Sequence, residues 1–156
     1  MPTLKRNVPR VERPARPGGD RPVLLATLEA PFDDDAAAFA VDAAVECGQQ
    51  LIVANVVEIP LAPMSVLMGY GALEPAEEDA ARLRAPAELA SALGVPVERL
   101  RVCSPHPVDA LLELVAERRP GLLVFGPDRS KLKPRAFRKV AKKIRDRVTC
   151  LVWLAD

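Results

Sequence analysis

The sequence predicts an α/β fold: one doubly wound sheet of five parallel strands, covered by helices on both faces. Three observations point to it. Short apolar runs rich in Val, Leu and Ile alternate along the chain with longer stretches of helical periodicity. Those runs are apolar throughout, as strands buried on both faces must be. Hydrophobic residues make up 49% of the 156, with only four Phe, one Tyr and one Trp, so the core is expected to be aliphatic and to belong to a single domain.

Residues 1–20 read as a flexible basic arm, with four prolines, two adjacent glycines and no apolar period; the globular domain is expected to span 21–156. "VLLATL" at 23–28 is the first strand. "DDDAAAFAVDAAVECG" follows as a helix, with acids at its start to satisfy free N–H groups and Gly48 as its stop; Phe39, Ala43 and Cys47 share one face. "LIVANVVEI" at 51–59 is the second strand, and a helical crossover of this length implies parallel pairing.

From Pro60 to Pro75 the chain reads as irregular, a loop packed on the sheet edge or a lid. Residues 76–93 read as a helix that Pro86 should kink or break, because proline lacks an N–H and clashes with the carbonyl of Arg82. "VERLRVC" at 97–103 alternates weakly, as an edge strand does. "PVDALLELVAERR" is amphipathic, with Val108, Leu111, Leu112 and Val115 as its apolar stripe. "LLVFG" at 122–126 is the fourth strand. Pro134 suits the first position of a last helix whose stripe is Phe137, Val140, Ala141 and Ile144, and "TCLVWLA" at 149–155 is the fifth strand.

These segments resemble the universal stress protein family. The resemblance rests on "VLLATLEAPFDDDAAAFAVDAAVECGQQLIVANVVE", "SPHPVDALLELVAERRPGLLVFG" and "VTCLVWL" in their order and spacing, and it covers 22–155. It implies the strand order 3-2-1-4-5. It also implies a homodimer paired through the fifth strand, at Cys150, Leu151, Val152, Trp153 and Leu154. Nucleotide-binding members carry an Asp after the first strand, to hold adenine, and a loop after the fourth written G-x2-G-x9-G-[ST]. Only glycine lets a backbone approach phosphate that closely.

Here the Asp position holds Leu28, next to Thr27. The first glycine is Gly126, the second is Arg129, and the closing pair aligns with Arg138 and Lys139, leaving Ser130 as a lone hydroxyl. The usual ATP or AMP grip is therefore expected to be lost, and no cofactor is expected. An altered site would use Thr27, Gly126, Arg129, Ser130, Lys131 and Arg138 to hold phosphate by charge.

The net charge of +1 conceals a division: residues 131–147 carry nine bases and one acid, and 1–22 six bases and two acids, while 23–128 carry seventeen acids and six bases. A cationic surface on an acidic body attracts anions, and weak nonspecific binding of nucleic acid through the arm and last helix is a further reading. Few aromatics accompany it, which argues against a single-strand stacking platform.

Other chemistries find no support. Three widely spaced cysteines, expected to be reduced and partly buried, make no disulfide frame. Cys103 and His106 lack two further zinc ligands, so no metal is expected. His106 is the sole histidine, no nucleophile elbow is present, Asp109 is expected to cap a helix, and Asp33, Asp34 and Asp35 read as caps rather than a cation site. With no membrane span and no secretory signal at the start, the expectation is a cytoplasmic, non-enzymatic stress-response protein acting through dimerisation and contacts with a protein or a small anion.

Overall fold

Strand β1 (Val23–Leu28) runs through the middle of a five-stranded sheet, flanked by β2 (Leu51–Glu58) and β4 (Leu122–Phe125), with β3 (Val97–Ser104) and β5 (Leu151–Leu154) at the edges. The computed structural model describes residues 21–60 and 77–154. All four pairings are parallel, and Val23 stands opposite both Leu51 and Leu122. The order β3-β2-β1-β4-β5 is the one expected, with β3 at an edge. The arm at 1–20 and nearly all of the irregular stretch at 60–75 lie outside the described residues.

Successive side chains of a strand point to opposite faces, so β1 feeds two cores. Val23 and Leu25 pack with α1 (Asp34–Cys47) and α2 (Glu77–Ala92); Leu24 and Ala26 pack with α3 (Pro107–Arg118) and α4 (Pro134–Arg147). This two-sided burial is why the strands read as continuous apolar runs.

Helix α1 begins as expected: Asp33 is its N-cap, its carboxylate accepting from the Ala36 N–H at 2.9 Å, and Gly48 ends it in the left-handed region at φ 62°. Its inward face, however, is Ala36, Ala40, Val41 and Ala44. The face carrying Phe39, Ala43 and Cys47 lies at the rim, with Phe39 40% exposed and stacked on Trp153 at 5.2 Å. Alanines let the helix sit close to the sheet, and a ring does not fit beneath it.

Helix α2 continues through Pro86, so of the kink or break expected there the break does not occur. The ring lies on the buried face with Leu83, Ala87 and Ala90, so packing offsets a breaker that costs about 3 kcal/mol in isolation. In α3 the buried side chains are Leu111, Leu114 and Val115, while Leu112 and Val108 are only half-buried. Arg118, at the end of that helix, grips Glu98 of the edge strand with two hydrogen bonds of 2.8 and 2.9 Å.

Helix α4 matches its sequence pattern, starting at Pro134 and burying Phe137, Val140, Ala141 and Ile144. Each like-charged pair one turn apart on it costs a few tenths of a kcal/mol. Burying Phe137, Val140 and Ile144 contributes about 1.5–3 kcal/mol each, so burial wins. Strand β5 begins at Leu151 rather than at Thr149 because its ladder begins with β4, pairing Leu122 with Leu151 and running to Phe125 with Leu154. Cys103 and Cys150 are half-buried free thiols; Cys47 is exposed, contrary to expectation.

Candidate functional site

In a doubly wound sheet the natural ligand crevice lies beyond the carboxyl ends of the strands, where the order reverses, here between β1 and β4. Two loops meet there: 29–33 after β1, and 126–133 after β4. They are stitched together. The Asp33 N–H donates to the Gly126 carbonyl (2.9 Å), the Asp128 N–H donates to the Pro31 carbonyl (2.8 Å), and Phe32 and Pro127 form an antiparallel bridge.

Gly126 itself is buried against α1. A Cβ added to it would fall 2.3 Å from the Ala36 Cβ, so helix packing alone requires glycine there. Its N–H donates to Ala26 O. The Ser130 N–H and hydroxyl both donate to Asp128 Oδ1, at 2.9 and 2.7 Å, and the Lys131 N–H donates to Asp128 O. The amides of residues 126, 128, 130 and 131 are thus spent inside the protein. Ser130, expected as a lone hydroxyl, belongs to Asp128. Its hydroxyl, and next its N–H, hold the Asp128 carboxyl below the usual aspartate range. The carboxylate stands as an anion already supplied by the chain.

Of the other sequence-derived site residues, Thr27, Arg129 and Arg138 are engaged within the protein as well. Thr27 is fully buried and its hydroxyl donates to Ala30 O at 2.9 Å. The Arg129 guanidinium lies 3.9 Å above the Phe137 ring, which stacks in turn on Phe125. Arg138 Nε reaches back to Pro134 O on its own helix, at 3.4 Å, and the side chain of Lys131 is exposed. Leu28 packs on the core edge and offers no polar group. Gly126, Arg129, Ser130 and Lys131 therefore share a loop, while Thr27 and Arg138 stand apart from it.

Two cavities flank this junction. One, of about 500 Å³, is walled by Asp33, Asp34, Asp35 and Asp128. A phosphate entering it would meet carboxylates, and like charges 4 Å apart repel by about 1 kcal/mol in water and more where water is excluded. The second, of about 450 Å³, lies between the start of α3 and α4, with Glu58, His106, Asp109, Lys139 and Lys143 around Val108 and Val140. Lys143 pairs with Asp109 at 3.7 Å. Asp109 does not cap α3; the N-cap is His106, without a side-chain cap bond. Sequence reading named these bases but not their convergence. Lys139 and Lys143 lie one turn apart beside Val140 and Ile144, and that spacing was the available signal. Among the described residues, no group of three or more His, Cys, Asp or Glu side chains is arranged to hold a metal ion. No described helix is long and apolar enough to cross a membrane.

Solved structures with the same architecture include a universal stress protein in complex with cAMP, at 22% identity and TM-score 0.59, covering 87% of this chain and 97% of that one. The universal stress protein UspA from Lactobacillus plantarum matches at 15% identity and TM-score 0.63, over 87% and 97% of the two chains. The universal stress protein from Archaeoglobus fulgidus in complex with dAMP matches at 19% identity and TM-score 0.54, over 87% and 98%. Identities this low speak for the fold alone, and a search of curated proteins finds no match. The sequence model of the universal stress protein family, by contrast, matches residues 21–155, from the entry to β1 to the end of β5. With the whole described sheet and its helices inside that match, this chain belongs to the universal stress protein family.

Proposed function

We propose that this chain is a non-enzymatic stress-response protein of the cytoplasm, acting as a homodimer through contacts with a protein or a small anion, without the ATP grip of nucleotide-binding relatives. The observation that carries this reading is the phosphate-loop position. Its amides at 126, 128, 130 and 131 are turned inward, and Asp128 sits with Asp33, Asp34 and Asp35 where phosphate charge would have to go. Titration calorimetry with ATP, ADP and AMP tests it. No heat at micromolar nucleotide is expected; micromolar affinity lost in Arg129→Ala would overturn the reading.

The dimer rests on β5. Leu151 is 75% exposed on a strand whose outer edge no described strand pairs, beside half-buried Val152, Trp153 and Leu154, and such an edge invites a second copy. Sedimentation should show a dimer at micromolar concentration and a monomer for Leu151→Arg. A monomeric parent protein would remove this part of the proposal.

The groove bearing His106, Lys139 and Lys143 favours a second reading, a nucleotide held by side-chain charge in a place that does not use the loop. The nucleotides named with the two relatives are monophosphates, which need fewer phosphate contacts than ATP. In the same calorimetry this reading requires AMP heat that is lost in Lys139→Ala and retained in Arg129→Ala. The outer face of α4, where Lys142, Arg145 and Arg147 are exposed, supports weak polyanion contact on the charge argument alone. Filter binding at low salt checks it, and absence of retention there ends it.

A further inference from the structure

The opposite end of the sheet holds a groove of about 660 Å³ that neither the family's motif nor the crevice accounts for. It lies where α3 and α4 both end and where the chain enters β1. Its apolar side is Leu112, Val115 and Val148, of which Val115 is buried. Its charged rim is Arg21, Arg119 and Arg147, completed by Thr149 and Cys150 at the entry to β5. Among the described residues, no carboxylate lines it.

Two features separate this rim from an ordinary solvated surface. None of the three guanidiniums pairs with a described carboxylate, whereas Arg118, one residue from Arg119, is held by Glu98 through two hydrogen bonds. Arg119 also occupies the left-handed region, at φ 48° and ψ 56°, as the C-cap of α3. Glycine or asparagine is favoured there, so an arginine is kept at a backbone cost. Offsetting the helix dipole gives one role to Arg119 and Arg147, at the ends of α3 and α4. It gives none to Arg21, which precedes β1 and belongs to no helix. Burial raises the Cys150 thiol above its ordinary range, so it adds no negative charge to the groove.

We propose that this groove binds a small amphipathic anion, its acid group held by Arg21, Arg119 and Arg147 and its short apolar body laid on Leu112, Val115 and Val148. Guanidinium forks match phosphate and carboxylate geometry with paired hydrogen bonds, and the Thr149 hydroxyl supplies another donor. This site is independent of the reading given above, since it lies at the amino ends of the strands and the crevice at their carboxyl ends.

Hexyl phosphate, inorganic phosphate and hexanol are the probes, followed by amide chemical shifts of the full chain. Hexyl phosphate is expected to bind in the millimolar range or tighter and to shift Ala116, Thr149 and Cys150. Inorganic phosphate should bind at least about tenfold more weakly, and hexanol should leave those amides unmoved. Arg119→Gly is the decisive variant, because glycine suits the left-handed position: its thermal midpoint should equal or exceed that of the parent while hexyl phosphate affinity falls at least about tenfold. Arg147→Gln should weaken binding in the same direction. Absence of binding, affinity unchanged in Arg119→Gly, or shifts confined to the 126–139 region would each overturn the proposal.

Discussion

Phe137→Ala is expected to destabilise the protein by about 3–5 kcal/mol, the range for deleting a buried ring. Phe137 is 4% exposed, stacks on fully buried Phe125 at 5.8 Å and carries the Arg129 guanidinium on its outer side. Alanine leaves a cavity beside Phe125, and α4 cannot close it without withdrawing Val140 and Ile144 from the same core. For a domain of this size each kcal/mol lowers the thermal midpoint by about 2–4 °C, so a fall on the order of 10 °C is expected by circular dichroism. Arg129→Ala removes a half-exposed cation over the ring, a contact worth about 0.5–1 kcal/mol. If Phe137→Ala lost no more than Arg129→Ala, Phe137 would not be the support of the loop that the packing makes it.

Gly126→Ala is the second large effect, and it separates two reasons for a glycine at that position. The added methyl would lie 2.3 Å from the Ala36 Cβ, at the start of α1, where Asp33 and Ala36 are already tied by the cap. Relief requires the helix to move off the sheet, an overpacking cost of about 1–3 kcal/mol. Ala36→Gly alone costs about 1 kcal/mol in helix propensity. Together the two substitutions should cost less than their sum, by about 1 kcal/mol or more, because the second makes room for the first. Urea denaturation of the four proteins measures that coupling. Additive costs would mean that Gly126 is kept for something other than the contact with α1.

The survival of Gly126 in a loop that otherwise departs from the nucleotide-binding pattern shows how far a motif can be read. A glycine was visible in the chain; its cause was not, because the atom that forbids a side chain there belongs to Ala36, ninety residues earlier. The fate of Ser130 is similar. Its neighbour Asp128 is two residues away, yet whether a hydroxyl in a basic loop faces a ligand or a carboxylate depends on the turn the loop makes once Pro31 and Phe32 hold it down. That Lys139 and Lys143 line one groove with His106 likewise required α3 and α4 to be placed side by side.

The sequence by itself determined the elements, their order, their parallel pairing and the inner stripe of α4, because apolar spacing, capping residues and crossover length act locally or through simple periodicity. Asp33 and Gly48 bound α1 by the same local chemistry. Tertiary structure decided the rest. It chose the alanine face of α1 over the one with Phe39 and carried α2 through Pro86. It also started β5 at Leu151, opposite the first residue of β4. In each case the energy of packing against a surface distant in sequence exceeds the local preference that the residues show alone, by kcal/mol against tenths for a helix face, and that surface exists only after the chain has folded.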